Sequence, residues 1–432
     1  MILNLSPIKC AYALECWLDK RAPRSSWLRR SAFDKRAIIR TGGKVYKPSG
    51  YSILGYGQMI RDRARMDPYA QALRKAVLPG SVVMDIGAGT GIFSLLACQL
   101  GASEVHAIEP NAAIELAQSM ALANGCADRL HCHRMLSTDF TPARRADVII
   151  SDLRGSVPLF QHHISTIIDA RHRLLAPQGV MIPSCDRLWV APIEAPDIYK
   201  PYAEPWRRNN YGLDMSSALQ LAVNTLTRVS AKPEQLVCPG KLWTTLDYHS
   251  IEQLNASGEL AWQVESDRIV HGLLIWFDTE LVQGVGFSNA PEQPKLVYGQ
   301  LFLPLQQPVG LAAGDMIAVS LHADLVDANY LWRWNTRITT PGEPPHSKAS
   351  FQQSTFFSAP LSLEQIKKQE PSHIPQRAQA IAIDEFVLSR IDGDTPLGDI
   401  AAALLNRFPE RFHQQAEALK YSYGLLQRYG SA

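Results

Sequence analysis

Between residues 51 and 183 the chain alternates short β-branched runs with stretches of helical period. S-V-V-M-D-I (81–86), E-V-H-A-I-E (104–109), A-D-V-I-I-S-D (146–152) and G-V-M-I-P (179–183) read as buried strands. Apolar positions three and four apart predict helices over 91–100, 112–124 and 164–175, the second closed by Gly125. Strands separated by helices of this length lie parallel, because a crossover must carry the chain back before the next strand can pair.

After Pro183 the period changes. Short apolar runs such as L-W-V-A-P-I (188–193), L-L-I-W-F-D (273–278), Q-L-F-L-P-L (300–305), A-V-S-L-H-A (318–323) and Y-L-W-R-W-N (330–335) are punctuated by Gly, Pro and Asn. That texture predicts an antiparallel barrel or sandwich, interrupted early by a helix near 215–224. K-K-Q-E-P-S-H-I-P (367–375) reads as a linker, and 383–390, 397–407 and 414–428 have amphipathic helical spacing. The expected architecture is α/β followed by β. It comprises a doubly wound, Rossmann-like domain over 49–184, a β-barrel-like domain over 185–362 and a small helical or winged-helix module over 374–432.

Composition narrows the class. Of 432 residues 46% are hydrophobic, enough for a sizeable core. Lys and Arg number 43 against 41 acids, a net charge of +2 that gives no global reason to expect nucleic acid or an anionic membrane. The charge is uneven. Residues 1–48 form a basic N-terminal segment with eleven Lys/Arg against three acids, either a solvated arm or a guide for an acidic substrate. The seven cysteines are odd in number and scattered without a C-x-x-C, which argues against a zinc site or a disulfide framework, so no metal is expected. No apolar run reaches the roughly 18–20 residues that span a bilayer, and the first residues make a poor secretory signal. A cytoplasmic enzyme is the expectation.

The first strand runs into D-I-G-A-G-T-G (85–91) and then directly into a helix. Gly87, Gly89 and Gly91 allow a tight turn and a close approach of backbone to ligand. The third glycine follows the second by two residues rather than three, unlike the dinucleotide fingerprint, and no lysine follows to make a P-loop. Asp85 at the strand's carboxyl end can hold a cationic group, and Glu109 at the end of the next strand can accept both hydroxyls of a ribose. Two acids flanking a glycine loop without a phosphate-binding cation suit S-adenosylmethionine. A nicotinamide dinucleotide with Glu109 on its ribose is the competing reading. Ala88 inside the loop, with Leu136 and Ser137 further along, completes the candidate cofactor-binding set.

Across residues 50–345 the chain resembles the protein arginine methyltransferases. Y-G-Q-M-I-R-D-R-A-R-M-D-P-Y (56–69) is similar to the family's M-L-x-D-x-x-R-x-x-x-Y helix over the cofactor. The likeness implies that Met59 packs near the sulfonium and that Arg65 holds the methionine carboxylate, a task suited to an arginine fork. W-R-R-N-N-Y-G-L-D-M-S (206–216) resembles the start of the family's dimerisation arm, here placed near 200–230, and implies a homodimer. W-F-D (276–278) and F-S-N-A-P-E-Q-P-K-L-V-Y-G-Q (287–300) resemble barrel segments, the latter ending in the family as P-x-T-H-W-x-Q.

The likeness fails on the acceptor side. The family's S-E-x-x-G-x-x-x-x-x-E hairpin grips the guanidinium with two glutamates; here it reads S-D-L-R-G-S-V-P-L-F-Q (151–161). Asp152 is one methylene shorter, Gln161 carries no charge, and Arg154 adds a cation on the same loop. Leu296, Val297 and Tyr298 replace the threonine, histidine and tryptophan. Asp152, Gln161 and Arg154 are therefore the candidate catalytic residues of a methyl transfer to something other than an ordinary arginine. In this reading Asp152 orients the nucleophile, Gln161 positions it and Arg154 pairs with a substrate anion. His162 and His163 are either bases or surface histidines at a helix start. The C-terminal helices weakly resemble small peptide-binding modules of peptide-modifying enzymes, or a generic packing module. A protein or peptide acceptor, a small metabolite such as a free amino acid, and a cofactor-binding scaffold without transfer all stand at this point.

Overall fold

The computed structural model describes residues 51–429 except 209, 210, 343, 361, 377 and 378, so the basic segment 1–48 lies outside the described residues. A first compact unit ends at Tyr56, within α1 (Ile53–Arg61), and a second runs from Gly57. Helix α2 (Arg63–Ala76) begins at Asp62, whose carboxylate accepts the Arg65 N–H and so satisfies one orphan donor of the first turn. It buries Met66, Tyr69, Ala72 and Leu73.

The strands β1 (Val82–Ile86), β2 (Glu104–Ile108), β3 (Leu130–His133), β4 (Ala146–Ser151) and β5 (Leu175–Ile182) form a parallel sheet of order β3-β2-β1-β4-β5. Helices α3 (Ile92–Gln99), α4 (Ile114–Ala123) and α5 (His163–Asp169) make the crossovers. The helix expected over 164–175 stops sooner: Ala170–Leu174 widens into a π-turn, and Leu175 already pairs with Ala146. Chain order reverses between β1 and β4, and at such a switch point the carboxyl ends of strands open a crevice. Asp85, Glu109 and Asp152 stand at the ends of β1, β2 and β4.

Beyond Pro183 come β6 (Cys185–Ile193), α6 (Pro196–Arg207), α7 (Ser216–Ala222), β7 (Thr227–Val229), β8 (Lys241–Asp247), β9 (Ala256–Gln263), β10 (Arg268–Val282), β11 (Val285–Ser288), β12 (Gln300–Leu311), β13 (Met316–Val326), β14 (Asn329–Thr340) and β15 (His346–Ser354). They build two antiparallel sheets, β7-β12-β10-β6-β8 with β11 beside β10, and β15-β14-β13-β9. Apolar alternation along β13 and β14 turns Ile317, Val319, Leu321, Trp332 and Trp334 inward. One continuous core joins them to Ile149, Ile164 and Met181 of the parallel-sheet domain. Helices α6 and α7 lay Tyr199, Ala203 and Val223 on β6, β10 and β12 as a separate apolar patch.

Helix α8 (Leu363–Gln369) occupies the first part of the stretch read as linker. After it, α9 (Gln379–Leu388), α10 (Leu397–Arg407) and α11 (Gln415–Tyr429) close around Val387, Ile400, Leu404, Phe412 and Leu425. Among the described residues no strand follows β15, so the module is helical without a wing.

Candidate active site

The loop after β1 turns through three left-handed glycines, Gly87 at φ +78°, Gly89 at +54° and Gly91 at +80°. Side chains are excluded there by space as well as by φ. A Cβ on Gly87 would sit 2.4 Å from Leu153 Cδ2, and one on Gly91 2.6 Å from Ala117 Cβ. Asp85 accepts from the Ser94 N–H at 3.1 Å and its hydroxyl at 2.7 Å; burial nonetheless pushes its carboxyl up to about 7. Glu109 accepts the Gly89 N–H at 3.1 Å with one oxygen. Its other oxygen takes the Asn111 N–H at 2.9 Å and the Asn111 amide at 2.6 Å. The glycine loop and the ribose-type acid are thus joined directly, and Asn111, which sequence reading missed, orients the acid. Ala88 is buried in the loop, Met59 is half-buried and Leu136 is exposed. Ser137 is buried, its carbonyl accepting from Arg173 at 2.8 Å. Two buried carboxylates at adjacent strand ends, with no cation in the loop between them, fit a cofactor that offers hydroxyls and positive charge rather than pyrophosphate.

Facing this crevice, Asp152 is saturated. Its Oδ2 accepts from Arg65 Nε at 2.8 Å, Arg65 Nη2 at 2.5 Å and the Tyr298 hydroxyl at 2.6 Å; its Oδ1 accepts from Arg154 Nε at 3.2 Å. Burial alone would raise this carboxyl, but Arg65 and Arg154 outweigh it and hold it at about 2. Burial, followed by the Asp152 charge, pushes the Tyr298 hydroxyl up. Arg65, expected on the cofactor's carboxylate, here spends its fork on Asp152 and on the Met59 carbonyl at 3.3 Å.

Arg154 is not open to a substrate anion, contrary to expectation. Its side chain has no exposure, and Nη1 donates to Asp186 at 2.9 Å and to Thr279 at 2.8 Å, while Nη2 donates to Tyr69. A buried guanidinium must be paired, and Asp186 at the start of β6 is the partner. Tyr248 donates to the other oxygen of Asp186 at 2.5 Å, so its own oxygen accepts from His163 Nε2 at 3.0 Å. His163 is therefore a buried neutral imidazole, neither a surface residue nor a ready base. Burial, then Arg154, pushes its pKa down to about 3, and its Nδ1 has no partner. His162 is exposed at the start of α5. Gln161 is exposed, in a left-handed conformation at φ +44°, with no hydrogen bond to the Asp152 cluster.

The loop carrying Tyr298 is fixed from both sides. The Val297 N–H donates to Asp62 at 2.7 Å, and Asn289 donates to the Gly299 carbonyl while accepting the Phe277 N–H at 2.7 Å. Tyr298 stacks on Phe287, ring centroids 6.0 Å apart and 7° from parallel. Tyr69, Asp186, Tyr248, Thr279 and Asn289 were missed because they come from five separate segments. An acid inside an apolar strand, as in C-D-R-L-W-V, was the available signal for Asp186.

Residues 70–185 match the family model for ribosomal protein L11 methyltransferase (PrmA), and 186–331 the model for the arginine methyltransferase oligomerization subdomain. A probable protein arginine N-methyltransferase 6 of Arabidopsis thaliana is 31% identical over 234 residues, 52% of this chain; the match spans about half, 53%, of that relative's length. Protein arginine N-methyltransferase 1 of Dictyostelium discoideum is 26% identical over 293 residues, 66% of this chain and 86% of the relative. Over both stretches the chain is thus similar to arginine methyltransferase-like, S-adenosylmethionine-dependent methyltransferases. The chain also shares its fold with protein arginine methyltransferase 10 of Arabidopsis thaliana, at TM-score 0.62 and 23% identity over 70% of this chain and 97% of that one. A Trypanosoma brucei PRMT1 enzyme–prozyme complex gives TM-score 0.63 at 22% identity, covering 69% and 96%. The chain thus joins a parallel sheet with a glycine loop to an antiparallel barrel-like domain, as read from its sequence. Its departures gather around one carboxylate, Asp152.

Proposed function

We propose that this chain transfers a methyl group from S-adenosylmethionine to a protein or peptide acceptor, and that the accepting group is not a guanidinium gripped between two carboxylates. The pairing of Asp152 with Arg154 carries the reading: this buried guanidinium already shares the carboxylate's charge, whether or not Arg65 stays on it, which disfavours a second guanidinium there. Gln161, where a second acid would be needed, is neutral and exposed. The small-metabolite reading relied on Arg154 as an anchor, and its fork is filled by Asp186, Thr279, Tyr69 and Asp152.

When bound, the cofactor supplies an electrophilic methyl group on a sulfonium. Glu109 would take the ribose hydroxyls and Asp85 the amino group. The loop Gly87–Ala88–Gly89 with Gly91 would allow backbone approach, and Met59, Leu136 and Ser137 would line the remainder. Arg65 would turn part of its fork from Asp152 to the cofactor's carboxylate. Asp152, relieved of one partner and still held by Tyr298, would then orient the nucleophile, because in-line transfer depends mainly on positioning. Gln161 joins the site only if its loop moves.

Self-association through α6 and α7 belongs to the same proposal, supported by the match to a subdomain named for oligomerization. Light scattering at micromolar concentration should return twice the monomer mass, and a monomer would refute it. A cytoplasmic location is also proposed: five cysteines are free among the described residues, and no described helix is long and apolar enough to cross a membrane. The decisive experiment incubates the full chain with methyl-labelled S-adenosylmethionine and a lysate of its own cell, then separates products by size. Label in protein that yields no methylarginine on hydrolysis supports the proposal. Label confined to small molecules refutes the protein acceptor, and no label with cofactor bound favours a scaffold.

A further inference from the structure

A cavity of about 790 Å³ opens beside the loop that carries Tyr298, and its charge has no use in the transfer itself. Among the described residues Arg61, Arg63, Arg228 and Lys295 line it, against one acid, Asp62. That acid is already engaged, with one oxygen on the Arg65 N–H at 3.4 Å and the other on the Val297 N–H at 2.7 Å. Among the described residues Arg63 meets only Asp67, at 3.3 Å and with side chains 83% and 63% exposed, a geometry in which ion pairs are weak. Arg228 gives Nη1 to the Val297 carbonyl at 3.2 Å and keeps the rest of its fork. Arg61 and Lys295 have no ion-pair partner among the described residues. The cavity therefore presents unneutralised positive charge in a concave setting, where the field is strongest.

We propose that this cavity binds an acidic segment of the protein acceptor, a run of Asp or Glu side chains held next to the residue that is methylated. The inference rests on the protein-acceptor reading above and adds what kind of sequence is chosen. Position supports it: Ala64 and Val297 line the cavity, and their chain neighbours Arg65 and Tyr298 hold Asp152. A peptide anchored here would lie beside the two segments that hold Asp152. Among the described residues no aromatic ring lines the cavity, so they offer no stacking platform of the kind single-stranded nucleic acid uses. Its volume far exceeds a single small anion, and guanidinium forks match carboxylates in pairs. At one wall only glycine fits, since Gly299 sits at φ +60° with the Val229 carbonyl 2.5 Å from where a Cβ would be.

The test measures binding of a fluorescein-labelled peptide of alternating Glu and Gly to the full chain by anisotropy, beside its Gln-for-Glu counterpart. The Glu peptide should bind, the Gln peptide should not, and added salt should weaken the former. Arg61→Glu with Lys295→Glu should weaken it about tenfold, while affinity for S-adenosylhomocysteine stays unchanged. Equal binding of the two peptides, wild-type affinity in the double variant, or tighter binding of a single-stranded oligonucleotide would overturn the inference. Selective binding without label reaching protein would instead refute the protein-acceptor reading and leave the anion site standing.

Discussion

Replacing Asp152 by Asn tests the centre of the site. The substitution keeps shape and removes the charge that two guanidinium groups share, so its cost can be read from the carboxyl's own shift. A fall from 3.8 to about 2 corresponds to about 2.5 kcal/mol at 1.36 kcal/mol per pH unit. Breaking a buried pair outright costs about 3–5 kcal/mol. Arg154 keeps Asp186, Thr279 and Tyr69, whereas Arg65 keeps only Tyr298 and the Met59 carbonyl as oxygen partners. The loss should therefore lie near the lower figure, about 2–3 kcal/mol, and fall on Arg65. By thermal melting the variant should unfold several degrees lower at neutral pH. Because the folded pKa is depressed, the wild-type advantage is complete above the unfolded value near 4 and disappears as pH falls through about 2. S-adenosylhomocysteine should raise the variant's melting temperature more than the wild type's, since its carboxylate replaces the counter-ion that Arg65 has lost. An unchanged melting temperature would refute the claim that Asp152 is an ionised partner of Arg65. An unchanged ligand-induced shift would refute the claim that the two carboxylates compete for Arg65.

Asp85, raised to about 7 by burial, should make affinity for S-adenosylmethionine climb as pH increases through about 7, because only its ionised form pairs with an amino group. Calorimetry should show this for wild type and a flat profile for Asp85→Asn; a flat wild-type profile would sink the role. His163 is held neutral down to about 3 against 6.5 when unfolded, so native stability should fall as pH drops below 6.5, by about 2 kcal/mol at pH 5. His163→Gln should remove that slope in urea titrations, and an undiminished slope would place its origin elsewhere. Gln161→Glu should leave an arginine-containing peptide unmethylated, since Asp152 stays paired with the buried Arg154 and position 161 faces solvent. Methylarginine in an acid hydrolysate would contradict this.

The parallel-sheet domain was legible because its information is local. The β-branched runs at 81–86, 104–109 and 146–152 fall on β1, β2 and β4, and the glycine loop lies where strand meets helix. β3 was not legible, since L-H-C-H is short and half polar and owes its place to pairing with β2. Asp85 and Glu109 could be singled out because a strand's carboxyl end can be counted along a sequence. Arg154 could not be understood that way. A cation on a loop reads as exposed until the fold sets Asp186, Thr279 and Tyr69, from three distant segments, around it.

By itself, then, the sequence determined the order of elements, the glycine turn and the acids that flank it, each governed by backbone preference and residue period. Tertiary structure alone decided which charges remain free. Arg65, Arg154, Asp152 and Asp186 neutralise one another because packing brings them together and burial forbids an unpaired ion. Arg61, Arg63, Arg228 and Lys295 remain available because the fold gathers them around an open cavity whose one acid among the described residues, Asp62, is already hydrogen-bonded.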